Sequence, residues 1–230
     1  MGNIAVITAR GNSKRIPKKN IKDFCGKPII AYSILSAIRS NLFDKVMVST
    51  DDEEIKAISE KYGAEVPFMR SDKNSDDNAT TADVLLEVIE MYLKTGHLFE
   101  YLCCIYPTAP FITVEKLQKS MKLLMDTGCD SVIPIVQFSF PPQRGFLMQN
   151  DYVIKFQNPE YETTRSQDLQ TIYHDCGQYY CINIGRFIEE KSLIMKNTKG
   201  IITDESEVQD IDNYSDWEIA EMKYKIMMKK

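Results

Sequence analysis

Between Arg10 and Lys27 the chain carries Arg10, Lys14, Arg15, Lys18, Lys19, Lys22 and Lys27 against one acidic residue, Asp23. The protein as a whole has 230 residues and a net charge of -5. A cationic loop on an acidic chain is the pattern expected where a polyanion binds. Gly11, inside the run Ala9-Arg10-Gly11-Asn12-Ser13-Lys14, permits a tight turn whose backbone N–H groups can be aimed at phosphate oxygens. Arg10 offers a bidentate fork, and Lys14 and Lys19 offer compact charges. A solvated basic loop has the same composition, so charge alone leaves both readings open. Near the other end stands Val208-Gln209-Asp210-Ile211-Asp212. Two carboxylates at alternate positions of an extended segment point the same way. Beside a triphosphate such a pair is a natural Mg²⁺ site; on its own it is more often a polar strand end.

Other chemistries lack their motifs. There is no G-x-G-x-x-G for a dinucleotide, and Gly26-Lys27 is followed by Pro28 rather than the Ser or Thr of a Walker loop. The six cysteines form no C-x-x-C pair and there are two histidines, so a structural zinc site is not expected. Unframed cysteines, the lack of a signal peptide and the lack of any span-length apolar run point to a cytoplasmic enzyme without membrane contact. The acidic remainder argues against nucleic acid as a partner.

The elements that must position these residues alternate. Asn3–Thr8 reads as a buried first strand, and the basic loop leaves its carboxyl end. A helix is expected from Pro28, with Ile30, Ile34, Ala37 and Ile38 on one face. Lys45–Ser49 is a strand. Thr50-Asp51-Asp52-Glu53 has capping-box spacing for a helix ended by Gly63. Glu65–Phe68 reads as a short strand, and Arg70–Asn78 as a polar loop. Thr80 or Thr81 caps the next helix, which Gly96 stops. Strands at Tyr101–Tyr106 and Ser131–Val136 flank a helix capped by Thr113. Gln178–Ile184 and Gly200–Thr203 return to the sheet. Ser215-Asp216-Trp217-Glu218 opens a last helix with Ile219, Met222 and Ile226 inward. The expected fold is one α/β domain over residues 1–230: a Rossmann-like, mostly parallel sheet with helices on both faces. The proline-rich stretch 138–171 should protrude from it. Ligands of such sheets lie at the carboxyl ends of the strands.

The strand, the A-R-x-x-S-K-x-x-x-K-N loop ending at Asn20, and Gly26-Lys27-Pro28 together resemble the signature of the sugar nucleotidyltransferases. The form with Arg10, Ser13, Lys14 and Asn20 is similar to the CMP–sugar-acid synthetases. That resemblance runs over nearly the whole chain. It implies CTP at Ala9 to Lys14, Lys19, Asn20, Arg70, Ala79, Thr80 and Thr81, with Mg²⁺ on Asp210 and Asp212. It further implies catalytic roles for Arg10 and Lys14, with Asp212 as the nearest candidate base. The stretches Tyr106-Pro107-Thr108-Ala109-Pro110, Arg165-Ser166-Gln167 and His174-Asp175-Cys176-Gly177-Gln178-Tyr179-Tyr180 look like those of the branch that activates pseudaminic acid. By that likeness Tyr106, Thr108, Arg165, Gln167, His174, Gln178 and Tyr180 would contact the sugar, and 138–171 would make a homodimer. Sialic or legionaminic acid as the acceptor, and a silent sugar-nucleotide-binding homologue, are the alternatives.

Overall fold

The computed structural model describes residues 2–149 and 152–229; positions 150 and 151 of the expected protruding stretch lie outside the described residues. A central sheet runs in the order β11–β6–β10–β5–β1–β4, with β9 pairing β6 from outside that path. Its strands are β1 Gly2–Thr8, β4 Lys45–Ser49, β5 Phe99–Ile105, β6 Ser131–Gln137, β9 Tyr173–Asp175, β10 Tyr179–Asn183 and β11 Thr198–Ile202. β1 is parallel to both neighbours, and β11 is parallel to β6. β10 is antiparallel to β5 and to β6, and β9 is antiparallel to β6. β1, β4, β5, β6 and β11 therefore share one direction, so the sheet is mostly parallel. The chain leaves β1 towards β4 on one side and reaches β5 on the other, which opens a crevice at their carboxyl ends.

Period-2 alternation along β1 divides the core. Ala5 and Ile7 face one cluster, with Ile30, Ile34 and Ala37 of α1 (Ile30–Arg39), Ile55 of α2 (Glu53–Lys61) and Leu117, Met121 and Leu124 of α4 (Val114–Thr127). Ile4 and Val6 face the other, with Leu85, Val88, Ile89 and Tyr92 of α3 (Thr81–Lys94) and Phe187 of α5 (Ile184–Glu190). Helices on both faces are what a buried parallel strand requires. A third cluster packs Ile16, Phe24, Ile29, Tyr32, Phe111, Ile211 and Trp217 beneath α6 (Tyr214–Met227). Phe24 meets Tyr32 and Trp217 edge-on, with centroids 5.6 and 5.5 Å away.

Several local expectations change. Pro28 does not open α1; it lies in a small hairpin of β2 (Asp23–Phe24) and β3 (Lys27–Pro28), and the helix begins at Ile30. Asp52, rather than Thr50, caps α2 by accepting from the N–H groups of Glu54 and Ile55. Glu65–Phe68 contributes a single parallel bridge, Met47 to Glu65, because Pro67 and the following turn end the pairing. The box that starts α6 is Asn213 with Asp216, two residues earlier than expected. The buried side of α6 is consequently Trp217 and Ala220, while Ile219, Met222 and Ile226 are exposed. The short α5, capped by the Asn183 side chain, was not anticipated. Its Gly-containing turn and a length of two turns leave little periodicity to read.

Residues 138–172 leave β6 and return through β9. They carry the hairpin of β7 (Phe146–Met148) and β8 (Ile154–Phe156) and several single turns. Apolar side chains stand out along it: Phe140 is 86% exposed, Met148 72% and Tyr152 88%.

Candidate active site

The cleft at the carboxyl ends of β1, β4 and β5 has a volume of about 680 Å³. Its floor is Thr8 at the end of β1. One wall is the loop bearing Arg10, Ser13, Lys14, Arg15 and Lys19. The facing wall is Arg70, Asn74, Asp76 and Asp77 with the start of α3 at Ala79, Thr80 and Thr81. Tyr106, Pro107 and Thr108 close one end, and Asp210 stands at the rim.

Hydrogen bonds to its backbone hold the loop in place. The Ala9 N–H continues the sheet by donating to the Ser49 carbonyl at 2.9 Å. The Gly11 N–H donates to Asp51 Oδ1 at 2.8 Å, and the Ser13 N–H donates to the Gly11 carbonyl at 3.0 Å. The expectation of consecutive backbone donors facing phosphate is therefore corrected. These three N–H groups are already paired, and the fully buried Ala9 lies in the core rather than on the cleft. Gly11 answers a different need: a Cβ there would lie 2.8 Å from Asp52 Cβ, so only glycine lets the loop rest on the start of α2. Asn12 is exposed and away from the cleft lining. Asn20 lines the cleft, is otherwise buried, and donates from Nδ2 to the Arg10 carbonyl at 2.8 Å, which fixes the loop.

The cleft's charge comes from long side chains. Arg10 donates to Asp77 Oδ1 at 2.9 Å, and Lys14 pairs with Asp77 Oδ2. Lys14 and Arg10 together hold the Asp77 carboxyl below the usual carboxylate range. Lys19 donates to the Ile211 carbonyl at 2.6 Å. Burial pushes the Lys19 ammonium below its ordinary value, opposed by Asp212 and Asp210. Arg70 is 8% exposed and donates from Nε to Ser49 Oγ at 3.0 Å, with its other arm on the Ser49 carbonyl. Burial lowers it too, while Asp51 and Glu87 favour its charge. The Thr80 hydroxyl caps α3, and Thr81 Oγ1 lies 3.3 Å from the Tyr106 hydroxyl.

The segment bearing Asp210 and Asp212 is tied down at three points. Lys223 donates to the Val208 carbonyl at 2.7 Å, Lys19 holds the Ile211 carbonyl, and Ile211 is buried in the aromatic cluster. Burying Ile211 turns its two neighbours outward. The Asp210 carboxylate lines the cleft. Asp212 does not; it accepts from Arg15 at 2.6 Å. Its carboxylate is engaged by a guanidinium beside the cleft, so the expected role as a base, like one as a metal ligand, requires the ion pair with Arg15 to open.

The expected sugar contacts divide. Tyr106 and Thr108 line the cleft. Tyr180 is 5% exposed; its ring packs 5.5 Å from that of Tyr106, and its hydroxyl donates to Asp175 Oδ2 at 2.5 Å. Burial and Asp175 hold the Tyr180 phenol well above its usual range. Gln178 is 2% exposed and donates to the Glu207 carbonyl at 2.7 Å, so it braces the acidic segment instead of meeting solvent. Arg165 and Gln167 are exposed on the protruding stretch, and the His174 ring packs against that of Phe138 in a tilted arrangement, with centroids 4.6 Å apart. None of these five side chains, Arg165, Gln167, His174, Gln178 and Tyr180, lines the cleft within one chain. Sequence reasoning missed Asn74, Asp76, Asp77 and Asp175. An acidic run facing a basic loop was the available signal for Asp77; nothing local marks Asp175, whose partner is five residues away on another strand.

A family model described as cytidylyltransferase matches residues 4–228. The chain belongs to the cytidylyltransferase family. A pseudaminic acid cytidylyltransferase of Campylobacter jejuni is 38% identical over 227 residues, 98% of this chain and 97% of that protein. A CMP-N,N'-diacetyllegionaminic acid synthase of Legionella pneumophila is 33% identical, over 95% of this chain and 94% of that protein. The solved structure of a CMP:2-keto-3-deoxy-manno-octonic acid synthetase complexed with CTP covers all of both chains, with a TM-score of 0.70 at 14% identity. That likeness is one of fold, and it agrees with the mostly parallel sheet and its flanking helices.

Proposed function

We propose that this cytidylyltransferase joins CTP to pseudaminic acid, giving CMP-pseudaminic acid and pyrophosphate for surface-glycan or flagellin glycosylation in the cytoplasm. The observation that carries the choice of sugar is the near full-length similarity to a pseudaminic acid enzyme, 38% against 33% for the legionaminic acid relative. The cleft supports the nucleotide half. Arg10, Lys14 and Lys19 suit a triphosphate, while Arg70 and Thr81 offer donors at the far end. In the reaction the anomeric hydroxyl oxygen of the sugar bonds to the α-phosphorus as the bond to the bridging oxygen breaks. Pyrophosphate leaves with that oxygen, and the hydroxyl proton passes to solvent. Catalysis of this kind is positioning and charge stabilisation. Arg10 and Lys14 stabilise the leaving phosphates, and Lys19 braces both the loop and the acidic segment.

The donor set fits Mg²⁺, which takes one or two carboxylates and completes its octahedron with phosphate and water oxygens. Asp210, whose carboxylate faces the cleft, and Asp212 beside it would hold the ion. When bound it would supply charge neutralisation at the phosphates. Arg165, Gln167 and His174 lie outside the cleft of their own chain. The protruding stretch carries exposed apolar side chains at Phe140, Met148 and Tyr152, so we assign these residues to a homodimer, lent to the neighbour's sugar site.

Incubating the protein with CTP, Mg²⁺ and pseudaminic, legionaminic or sialic acid while following pyrophosphate tests the reading. Release with pseudaminic acid at least tenfold faster than with the others is expected. Faster release with another acid refutes the sugar, and no release with any refutes the activity.

A further inference from the structure

Two cations that face the cleft, Arg10 and Lys14, are both taken by one carboxylate, that of Asp77. Asp77 sits on the polar loop between α2 and α3, opposite the basic loop across the cleft. The loop is shaped to deliver it. Asp76 Oδ1 accepts from the N–H groups of both Asn78 and Ala79 at 2.8 Å, which fixes the turn just beyond Asp77. Glu87 of α3 accepts from the Ser71 N–H at 3.0 Å and from Asn74 Nδ2 at 2.8 Å, which anchors the loop's beginning. A carboxylate held between an arginine and a lysine imitates one oxygen face of a phosphate.

We propose that Asp77 is an internal competitor for the phosphate cradle, and that it sets how much negative charge a ligand needs to enter. Resting as it does on the proposed use of CTP, the inference concerns the cradle alone. A phosphate chain and Asp77 cannot both be bonded to Arg10 and Lys14, so binding exchanges one anion for another. A triphosphate or pyrophosphate gives more charge and more oxygens than the carboxylate it displaces. A singly charged anion does not, and is kept out. Asp77 thus weakens binding of the right ligand somewhat and that of poorer anions more.

The isosteric D77N removes the charge while leaving the loop's anchors at Asp76 and Glu87 in place. Calorimetric titration of wild type and D77N with CTP, pyrophosphate and cytidine decides the matter. CTP and pyrophosphate should bind D77N roughly three- to tenfold more tightly, the range two half-exposed ion pairs support. Cytidine, which has no phosphate, should bind both proteins equally. A merely structural role for Asp77 would weaken all three ligands or shift cytidine as well. Equal pyrophosphate affinities, including none measurable in either protein, overturn the inference. Tighter pyrophosphate binding with no binding of CTP would uphold the role of Asp77 and overturn the proposed nucleotide instead. Weaker CTP and pyrophosphate binding in D77N would make Asp77 part of the binding machinery and overturn its role as competitor.

Discussion

Replacing Tyr180 by Phe deletes one oxygen and leaves the ring, and with it the packing against Tyr106 at 5.5 Å. The lost group is the donor of a 2.5 Å hydrogen bond to the Asp175 carboxylate, in a side chain 5% exposed. A hydrogen bond to a charged group contributes about 1.5–3 kcal/mol. Asp175 keeps its other acceptor contact, from the Gly177 N–H at 2.8 Å, and is only partly buried. Water can reach it, which places the cost in the lower half of that range. For a chain of this size each kcal/mol moves Tm by roughly 2–4 °C, so Y180F should melt about 3–8 °C lower. The pH profile gives a second readout. Because the folded phenol titrates well above its unfolded value near 10, its contribution is fully present below pH 10. It declines as pH rises beyond that. Chemical unfolding of wild type and Y180F should therefore differ by a constant amount from pH 7 to 9, and by less above 10. A double-mutant cycle with D175N should return most of the Y180F effect as coupling. A loss under about 0.5 kcal/mol, or additive single mutants, would refute the assignment of this bond. The same variant should raise the sugar's KM while leaving that of CTP unchanged, because Tyr180 supports Tyr106 and touches no phosphate-facing residue.

Three further outcomes follow from the geometry. D210N should lower turnover by about a hundredfold or more with an unchanged melting curve, since Asp210 is exposed and lines the cleft; pyrophosphate release and calorimetry check the two halves. W217A should cost about 3–5 kcal/mol in urea unfolding and I219S less than about 0.5, because Trp217 is buried with Phe24 while Ile219 is 44% exposed; a reversed order would restore the face first expected for α6. The Lys19 ammonium is held below its ordinary 10.5, so its charge is complete at low pH and is lost at a lower alkaline pH than that of an exposed lysine. The KM for CTP should accordingly begin to rise at a lower pH than titration of an exposed lysine would give, and K19R should move that rise upward; identical alkaline limbs would count against a role for Lys19 at the phosphates.

The elements of this protein were legible wherever a pattern was local. Short continuous apolar runs marked β1, β4, β5 and β6, and a hydroxyl before an apolar helix marked starts at Thr50, Thr80 and Thr113, with an error of two residues at the first. The basic loop and the Asp210 pair were visible as charge and spacing, and the strand before the loop placed it at the carboxyl edge of a sheet. What the amino-acid order left open was decided by partners far away in the chain. Which face of α6 is buried depends on an aromatic cluster gathered from Phe24, Tyr32 and Ile211, and a helix whose apolar residues lie all round has no single stripe to read. Whether the loop's N–H groups face a ligand depends on Ser49 and Asp51, forty residues on. That Asp210 faces the cleft and Asp212 meets Arg15 was fixed by burying the isoleucine between them. Spacing and charge set the chemical inventory of the site. Only the packed sheet, which brings residue 10 to residues 77 and 210, decided which groups face one another.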